Sequence, residues 1–142
     1  MAPTRTDNDL MRVKLYILLP MILSAFERDK IVAQEKFKTP RPYVSLLDTT
    51  IKKVETDLKE LRGQLRAAGI KVYEENRSPD GIEARYLCRG YHYDINLRSD
   101  LIVAQSTIFM EKYLGLDISK YISSDVPGDD KTYLLPTEIK SH

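Results

Sequence analysis

The sequence predicts one α+β domain in the order helix, helix, β-hairpin, helix, with a long heptad-patterned second helix. Two periodicities predict this class. Apolar residues recur at three- and four-residue steps up to residue 68, and the period falls to two after Gly69. The length of 142 residues fits one domain. We expect this domain to span residues 11–124, between flexible tails over 1–10 and 125–142.

The first helix is indicated by an apolar run that starts at Leu15 and reaches Phe26 with helical spacing. Pro20 lies inside this run, and a proline within a helix costs about 3 kcal/mol because it removes a hydrogen bond and clashes with the preceding turn. We therefore expect the helix either to kink or to begin at Pro20, and to end near Asp29. The segment KFKTPRP then reads as a basic linker.

The same run has a second interpretation as a secretory signal, because Arg12 and Lys14 precede it and the small residues Ser24 and Ala25 end it. Two acidic residues in the would-be basic region oppose this interpretation. The apolar core, residues 15–23, is also far shorter than the ~20 residues that span a bilayer. We expect a cytoplasmic protein without a membrane partner, and the signal alternative stays open for residues 15–26.

The second helix carries the most regular pattern, a heptad seam spaced alternately by three and four residues. Charged residues cover its outer side, Gly63 is its weak point, and Gly69 ends it. Such a seam needs a partner, which is the first helix folded back, a second copy of the chain, or both, since a helix can cover one neighbour and dimerise along its edge. We expect a homodimer, with a dimer seam formed by Val44, Leu47, Ile51, Val54, Leu58, Leu61 and Leu65.

A β-hairpin follows, with strands near residues 70–75 and 82–89 joined by a loop of about six residues, NRSPDG. Gly90 should end the second strand, and residues 90–96 should form a passage into the last helix. That helix should begin between Asn96 and Ser99, run to Leu114 and stop at Gly115.

Chemical motifs are few. Cys88 and His92 define a small-enzyme hypothesis, but alternation turns Cys88 to the apolar face of its strand, where a free cysteine usually acts as a small hydrophobe. A metal site of Cys88, His92 and Asp94 fits no familiar spacing. Since the sequence also lacks a phosphate-binding glycine loop, we expect no cofactor, no metal and no catalytic residue.

The hairpin instead suggests a binding face, because basic and aromatic residues alternate along it. We expect Tyr73, Arg85, Arg89 and Tyr91 to contact a macromolecular partner, most simply another protein. A nucleic-acid-binding regulator is the alternative, since such faces also grip phosphates and stack bases. The net charge of +1 gives no strong field toward nucleic acid, and cross-strand charge pairing explains the mixture without any ligand.

Two segments, LYILLPMILSAFERDK over residues 15–30 and LCRGY over residues 87–91, resemble stretches of small uncharacterised proteins of Gram-positive bacteria and their phages. The resemblance covers about a fifth of the chain. It implies a bacterial or phage origin, and it brings no activity, cofactor or catalytic residue.

Overall fold

A computed structural model describes residues 5–122 of the chain. Its elements are α1 (Asp7–Lys36), α2 (Pro40–Ala67), β1 (Ile70–Ser78), β2 (Gly81–Cys88), β3 (Tyr91–Arg98), α3 (Ser99–Tyr113) and a final 3-10 turn (Ser119–Ile122). The α+β class and the order of the helices are confirmed. The predicted tail over residues 125–142 lies outside the described residues.

Helix α1 is longer than predicted at both ends. Thr6 caps its N-terminus, with its side chain accepting from the Asp9 amide while the Asp9 carboxylate accepts from the Thr6 amide. The expected tail over residues 1–10 is therefore wrong for residues 7–10. The helix also continues through Pro20, neither starting nor ending there, because buried residues on both sides of the proline hold it in place.

The middle of α1 is buried almost all round, as expected for a helix enclosed on several sides. It packs against α2 and α3, and its buried residues belong to the same core cluster as those of the sheet. The buried apolar residues of this stretch are Met11, Val13, Leu15, Ile17, Leu18, Leu19 and Ile22. Helix α1 is thus the central element of the core, and the possible signal segment at residues 15–26 lies within it.

Helix α2 begins at Pro40, where a proline costs no hydrogen bond, and folds back along α1. Its heptad seam enters the core: Ile51, Val54, Leu58, Leu61 and Leu65 are buried, and Val44 and Leu47 are half-buried. The seam therefore packs within the helical hairpin of one chain, as one of its predicted partners requires. A homodimer remains a prediction.

The sheet has three antiparallel strands in the order β1-β2-β3, and not the two of the predicted hairpin. The passage expected over residues 90–96 is wrong, because Tyr91–Arg98 forms β3 in register with β2. The first loop is also shorter than six residues, since β1 reaches Ser78 and only Pro79 and Asp80 separate it from β2. Arg89 and Gly90 form the second turn, and both have positive φ, as in type I′ hairpin turns.

One face of the sheet packs on the helices and the other is open to solvent. The packed face carries the buried residues Ile70, Ile82, Ala84, Tyr86, Cys88, Ile95 and Leu97. Helix α3 lies against this face and ends at Tyr113, one residue before the predicted end at Leu114. No helix within residues 5–122 has a stretch long and apolar enough to cross a membrane.

We predict that Gly63→Ala raises the free energy of unfolding by about 0.5–1 kcal/mol, because glycine in a helix interior is less favourable than alanine. A Cβ atom at this position meets no heavy atom within 4 Å. Urea denaturation followed by circular dichroism measures the change. Gly81→Ala is the matched control and should destabilise strongly, since φ is +148° there and the added Cβ would overlap the Leu97 carbonyl. A loss of stability in Gly63→Ala would contradict the packing described for α2.

Candidate functional site

The structure separates the four residues that were predicted to form one binding face. Tyr73 and Arg85 lie on the open face of the sheet and are exposed. Tyr91 pairs with the buried Cys88, so it lies on the opposite side, at the rim of the core. Arg89 lies in the turn after β2 and has a positive φ. The alternation of side chains between the two faces of the strand, which had placed Arg89 beside Arg85, therefore does not extend to it.

On the open face, Tyr73 and His92 join the two outer strands. The Tyr73 hydroxyl lies 2.9 Å from His92 Nδ1, and the rings meet edge to face at 5.7 Å between centroids. Tyr73 reaches this position at a shift of register between Val72 and Glu74, where a β-bulge can re-aim a side chain. His92 pairs with Leu87 of the central strand. The two rings therefore lie over the central strand at the level of Leu87, which is half-buried.

The rest of the open face carries charges of both signs. Arg85 faces Asp94 at 3.7 Å, and both side chains are well exposed, so this pair adds little stability. Glu74 pairs in register with Arg85, and Glu83 lies one row further along the sheet. This mixture gives no continuous positive surface for a phosphate backbone.

Arg89 instead joins three elements at the end of the sheet. Its Nη2 atom lies 2.6 Å from Asp9 Oδ2, at the start of α1. Its Nη1 atom donates to the Ala68 carbonyl at 2.8 Å, and its backbone amide donates to the Gly69 carbonyl at 2.9 Å, both just after α2. We call this contact set the Asp9–Arg89 clamp. These contacts hold the Arg89 side chain at the end of the sheet, on the side of the helices and away from Tyr73 and Arg85.

Asp9 is the buried member of the clamp. Burial alone would raise the pKa of its carboxyl group, but the hydrogen bond from Arg89 and those involving Thr6 outweigh burial and hold the pKa below its usual value. Arg12 adds a longer contact of 3.7 Å to the other carboxylate oxygen. The carboxylate therefore stays ionised at neutral pH.

Cys88 lies beneath the clamp, fully buried, with its thiol 3.8 Å from Asp9 Oδ2. Burial, reinforced by the charge of Asp9, raises the pKa of this thiol, which disfavours the thiolate needed for nucleophilic attack. His92 is on the other face of the sheet, bonded to Tyr73. The pair of the small-enzyme hypothesis is therefore not brought together.

The same geometry separates the three residues of the metal hypothesis. Cys88 faces the core, whereas His92 and Asp94 alternate on the open face. Within residues 5–122, no group of three or more His, Cys, Asp or Glu side chains is arranged to hold a metal ion.

A different surface stands out where α1 turns into α2. Val32, Phe37, Tyr43 and Leu46 are 44%, 45%, 52% and 47% exposed, and the rings of Phe37 and Tyr43 meet edge to face at 5.0 Å. With Asp29, Ala33, Leu47 and Leu114 these residues line a groove of about 320 Å³. We call it the hairpin-tip groove. Sequence reasoning missed it, although Tyr43 and Leu46 lie visibly off the heptad seam.

We predict that Asp9→Asn lowers the free energy of unfolding at neutral pH and that this loss shrinks in acid. Because the pKa of Asp9 is depressed in the folded state, its stabilisation is present above the unfolded-state pKa of about 3.9. That stabilisation is lost as the pH falls through the folded-state pKa. Urea denaturation at pH 7 and at successively lower pH values measures it.

Asp7→Asn is the matched control, since Asp7 lies in the same first turn of α1 and is exposed. It should change stability less at pH 7. An equal effect of Asp9→Asn at every pH would contradict the charge-based account of the clamp.

Comparison with known proteins gives one match. The family model described as YhjD protein matches residues 4–118, which include α1, α2, the three strands and α3. No curated protein and no solved structure matches the chain. The expected resemblance to Gram-positive and phage proteins stays a prediction. Because the match covers about four fifths of the sequence, this chain belongs to the YhjD protein family.

Proposed function

We propose that this protein is a non-enzymatic regulatory protein that acts by binding another protein, and that its contact surface is the hairpin-tip groove. The observation that carries the proposal is the clustering of exposed apolar side chains there. Of the nine large hydrophobic residues that are exposed within residues 5–122, four line this groove: Val32, Phe37, Tyr43 and Leu46. Single exposed apolar residues are ordinary, but a contiguous group marks an interaction surface.

The composition of this surface also fits a protein interface. Aromatic residues are enriched in interface cores, and Phe37 and Tyr43 stand together at the centre of the tip. Three exposed basic residues are close to them in sequence: Lys36 ends α1, Lys38 lies in the connection between the helices, and Arg41 lies in the first turn of α2. An apolar centre with a charged rim is the usual anatomy of a contact surface between proteins.

The proposal includes a homodimer formed through the same surface. The heptad seam is used within the chain, so self-association requires a different apolar face, and the hairpin tip supplies one. A two-fold axis through the tip would bring Phe37 and Tyr43 of both copies together, as isologous dimers require.

We predict that Leu46→Glu abolishes self-association and reduces capture of a protein partner from native lysate, because it places a charge within the apolar surface. Light scattering over a range of concentrations measures the first effect, and pull-down with mass spectrometry measures the second. Leu46 is half-exposed, so the fold should persist, and circular dichroism checks this.

Val103→Glu is the matched control, since Val103 is 66% exposed on α3 and does not line the groove. A wild-type protein that stays monomeric at all concentrations would refute the dimer. Equal partner capture by wild type and Leu46→Glu would refute the contact surface.

A second candidate function, binding of nucleic acid, is favoured by a groove of about 400 Å³ between the end of α2 and β1. Arg62, Arg66 and Lys71 line it together with Tyr16, and none of its lining residues is acidic. These three cations form no ion pair within the described part of the chain. Arg62 and Arg66 are also one helical turn apart, an arrangement of like charges that weakens a helix slightly.

If this second function is correct, the protein should shift DNA or RNA in a mobility assay, and the shift should weaken steeply with added salt. The double variant Arg62→Ala/Arg66→Ala should lose it. The matched control is Lys52→Ala/Lys53→Ala, which removes two cations of the same helix outside this groove. No shift at low salt would exclude this candidate, and an equal loss in both double variants would refute the assignment to the groove.

A further inference from the structure

We propose that the groove between the end of α2 and β1 binds a nucleotide. Arg62, Arg66 and Lys71 hold its phosphates, and its flat ring lies between Tyr16 and the outer edge of β1. The inference goes beyond the protein contact proposed above and does not depend on it, because this groove and the hairpin-tip groove share no lining residue. It assigns the groove a small ligand in place of a nucleic-acid polymer.

The cations of the groove set the chemical class of its ligand. Arg62 and Arg66 are exposed and one helical turn apart, so their side chains leave the same face of α2. Lys71 of β1 lines the same groove, and within residues 5–122 no acidic residue lines it. Like charges this close repel one another, and a bound anion relieves the repulsion. Guanidinium groups bind phosphate oxygens with paired hydrogen bonds, so phosphate is the anion that this set suits best.

The other wall of the groove is an edge strand. Among the described strands, β1 pairs only with β2, so its outer side has no strand partner there. In an antiparallel pair, alternate residues turn both of their backbone groups toward the partner strand or away from it. The Arg89 amide donates to the Gly69 carbonyl, in the register that continues through β1 and β2. Gly69 therefore faces β2, and the N–H and C=O groups of Ile70 and Val72, which line the groove, face outward.

This edge and the side chains beside it suit a flat heteroaromatic ring. The outward N–H and C=O groups of Ile70 and Val72 offer donors and acceptors side by side, a pattern that the edge of a nucleobase can match. Leu65 and Ile70 are buried and give the groove an apolar lining. The half-buried Tyr16 adds an aromatic ring on which a base can stack. The groove therefore combines groups for a ring with groups for its phosphates.

The size and surroundings of the groove favour a single nucleotide over a polymer. Its volume is about 400 Å³, within the range of ~300–1,000 Å³ that is typical of small-molecule sites. Further along β1, shortly after Val72, the exposed residues Glu74 and Glu75 carry negative charge. A nucleic acid that continued along this strand would meet them, and its affinity depends on cations that neutralise successive phosphates. A nucleoside di- or triphosphate instead matches cations that are confined to one groove.

Isothermal titration calorimetry of the full chain with a panel of ribonucleoside triphosphates tests the proposal. We expect saturable binding of a single ligand per chain, weakened by roughly tenfold or more in Arg62→Ala/Arg66→Ala, because charge-assisted hydrogen bonds to phosphate are lost. Lys52→Ala/Lys53→Ala is the matched control and should bind as the wild type does, since both lysines lie on α2 and neither lines this groove. Absence of binding at millimolar nucleotide, or an equal loss in both double variants, would overturn the proposal.

Two variants of Tyr16 test the place of the ring. Tyr16→Phe keeps the aromatic ring and should retain binding, whereas Tyr16→Leu removes it and should weaken nucleotide binding several-fold. Binding of inorganic triphosphate should be the same in wild type and Tyr16→Leu, because that probe contacts the cations alone. Circular dichroism checks the fold of both variants. The wild type gives the same test without a substitution: inorganic triphosphate that binds as tightly as the nucleotides would refute a nucleotide as the ligand.

A labelled single-stranded oligonucleotide distinguishes the nucleotide from the polymer. If the oligonucleotide binds and the mononucleotides do not, the proposal is overturned and the nucleic-acid candidate is supported. Leu46→Glu lies outside this groove and should bind nucleotide as the wild type does, so nucleotide binding is measured separately from the protein contact at the hairpin tip. Nucleotide binding that is lost in Leu46→Glu would overturn the placement of the ligand.

Discussion

The Asp9–Arg89 clamp is the interaction on which the arrangement of the elements depends. The start of α1, the end of α2 and the turn between β2 and β3 are far apart in sequence, and the guanidinium group of Arg89, in that turn, bonds to the other two regions. The contact is demanding, because Arg89 must hold a positive φ that few residues other than glycine adopt. A Cβ atom on Gly69, which also has positive φ, would lie 3.1 Å from the Arg89 side chain. The clamp therefore depends on Arg89 for its hydrogen bonds and on Gly69 for the space beside the Arg89 side chain.

The clamp fixes one end of the helical hairpin to the sheet, whereas the other end carries exposed apolar side chains. Near the clamp, α1 is enclosed by α2, the sheet and α3, and nearly every side chain from Met11 to Ile22 is at least half-buried. Beyond Phe26 the helices extend past this enclosure, and only Ala33 of α1 is still buried. The exposed apolar residues Val32, Phe37, Tyr43 and Leu46 lie in this part of the helical hairpin and line one groove.

The spacing of apolar residues correctly predicted those elements that bury a single face at one regular interval. Helix α2 is such an element, since it buries a single stripe, and α3 was placed within a residue or two for the same reason. Strand β3 was missed because YHYDINLR mixes an exposed aromatic start with a buried apolar end, so its alternation is visible only from Tyr93 onward. The early start of α1 was readable from the Thr6 to Asp9 spacing of a capping box, which signals a helix N-terminus in sequence.

The candidate site illustrates what a sequence cannot supply. Alternation along β2 assigned Arg89 to the open face together with Arg85, but a type I′ turn begins at Arg89 and carries its side chain to the helical side. No local pattern reveals that change, because it depends on Asp9, eighty residues earlier. Arg89, which was expected on the open face of the sheet, therefore bonds to the helices, whereas Leu46, to which the sequence assigned no role, is exposed at the hairpin tip.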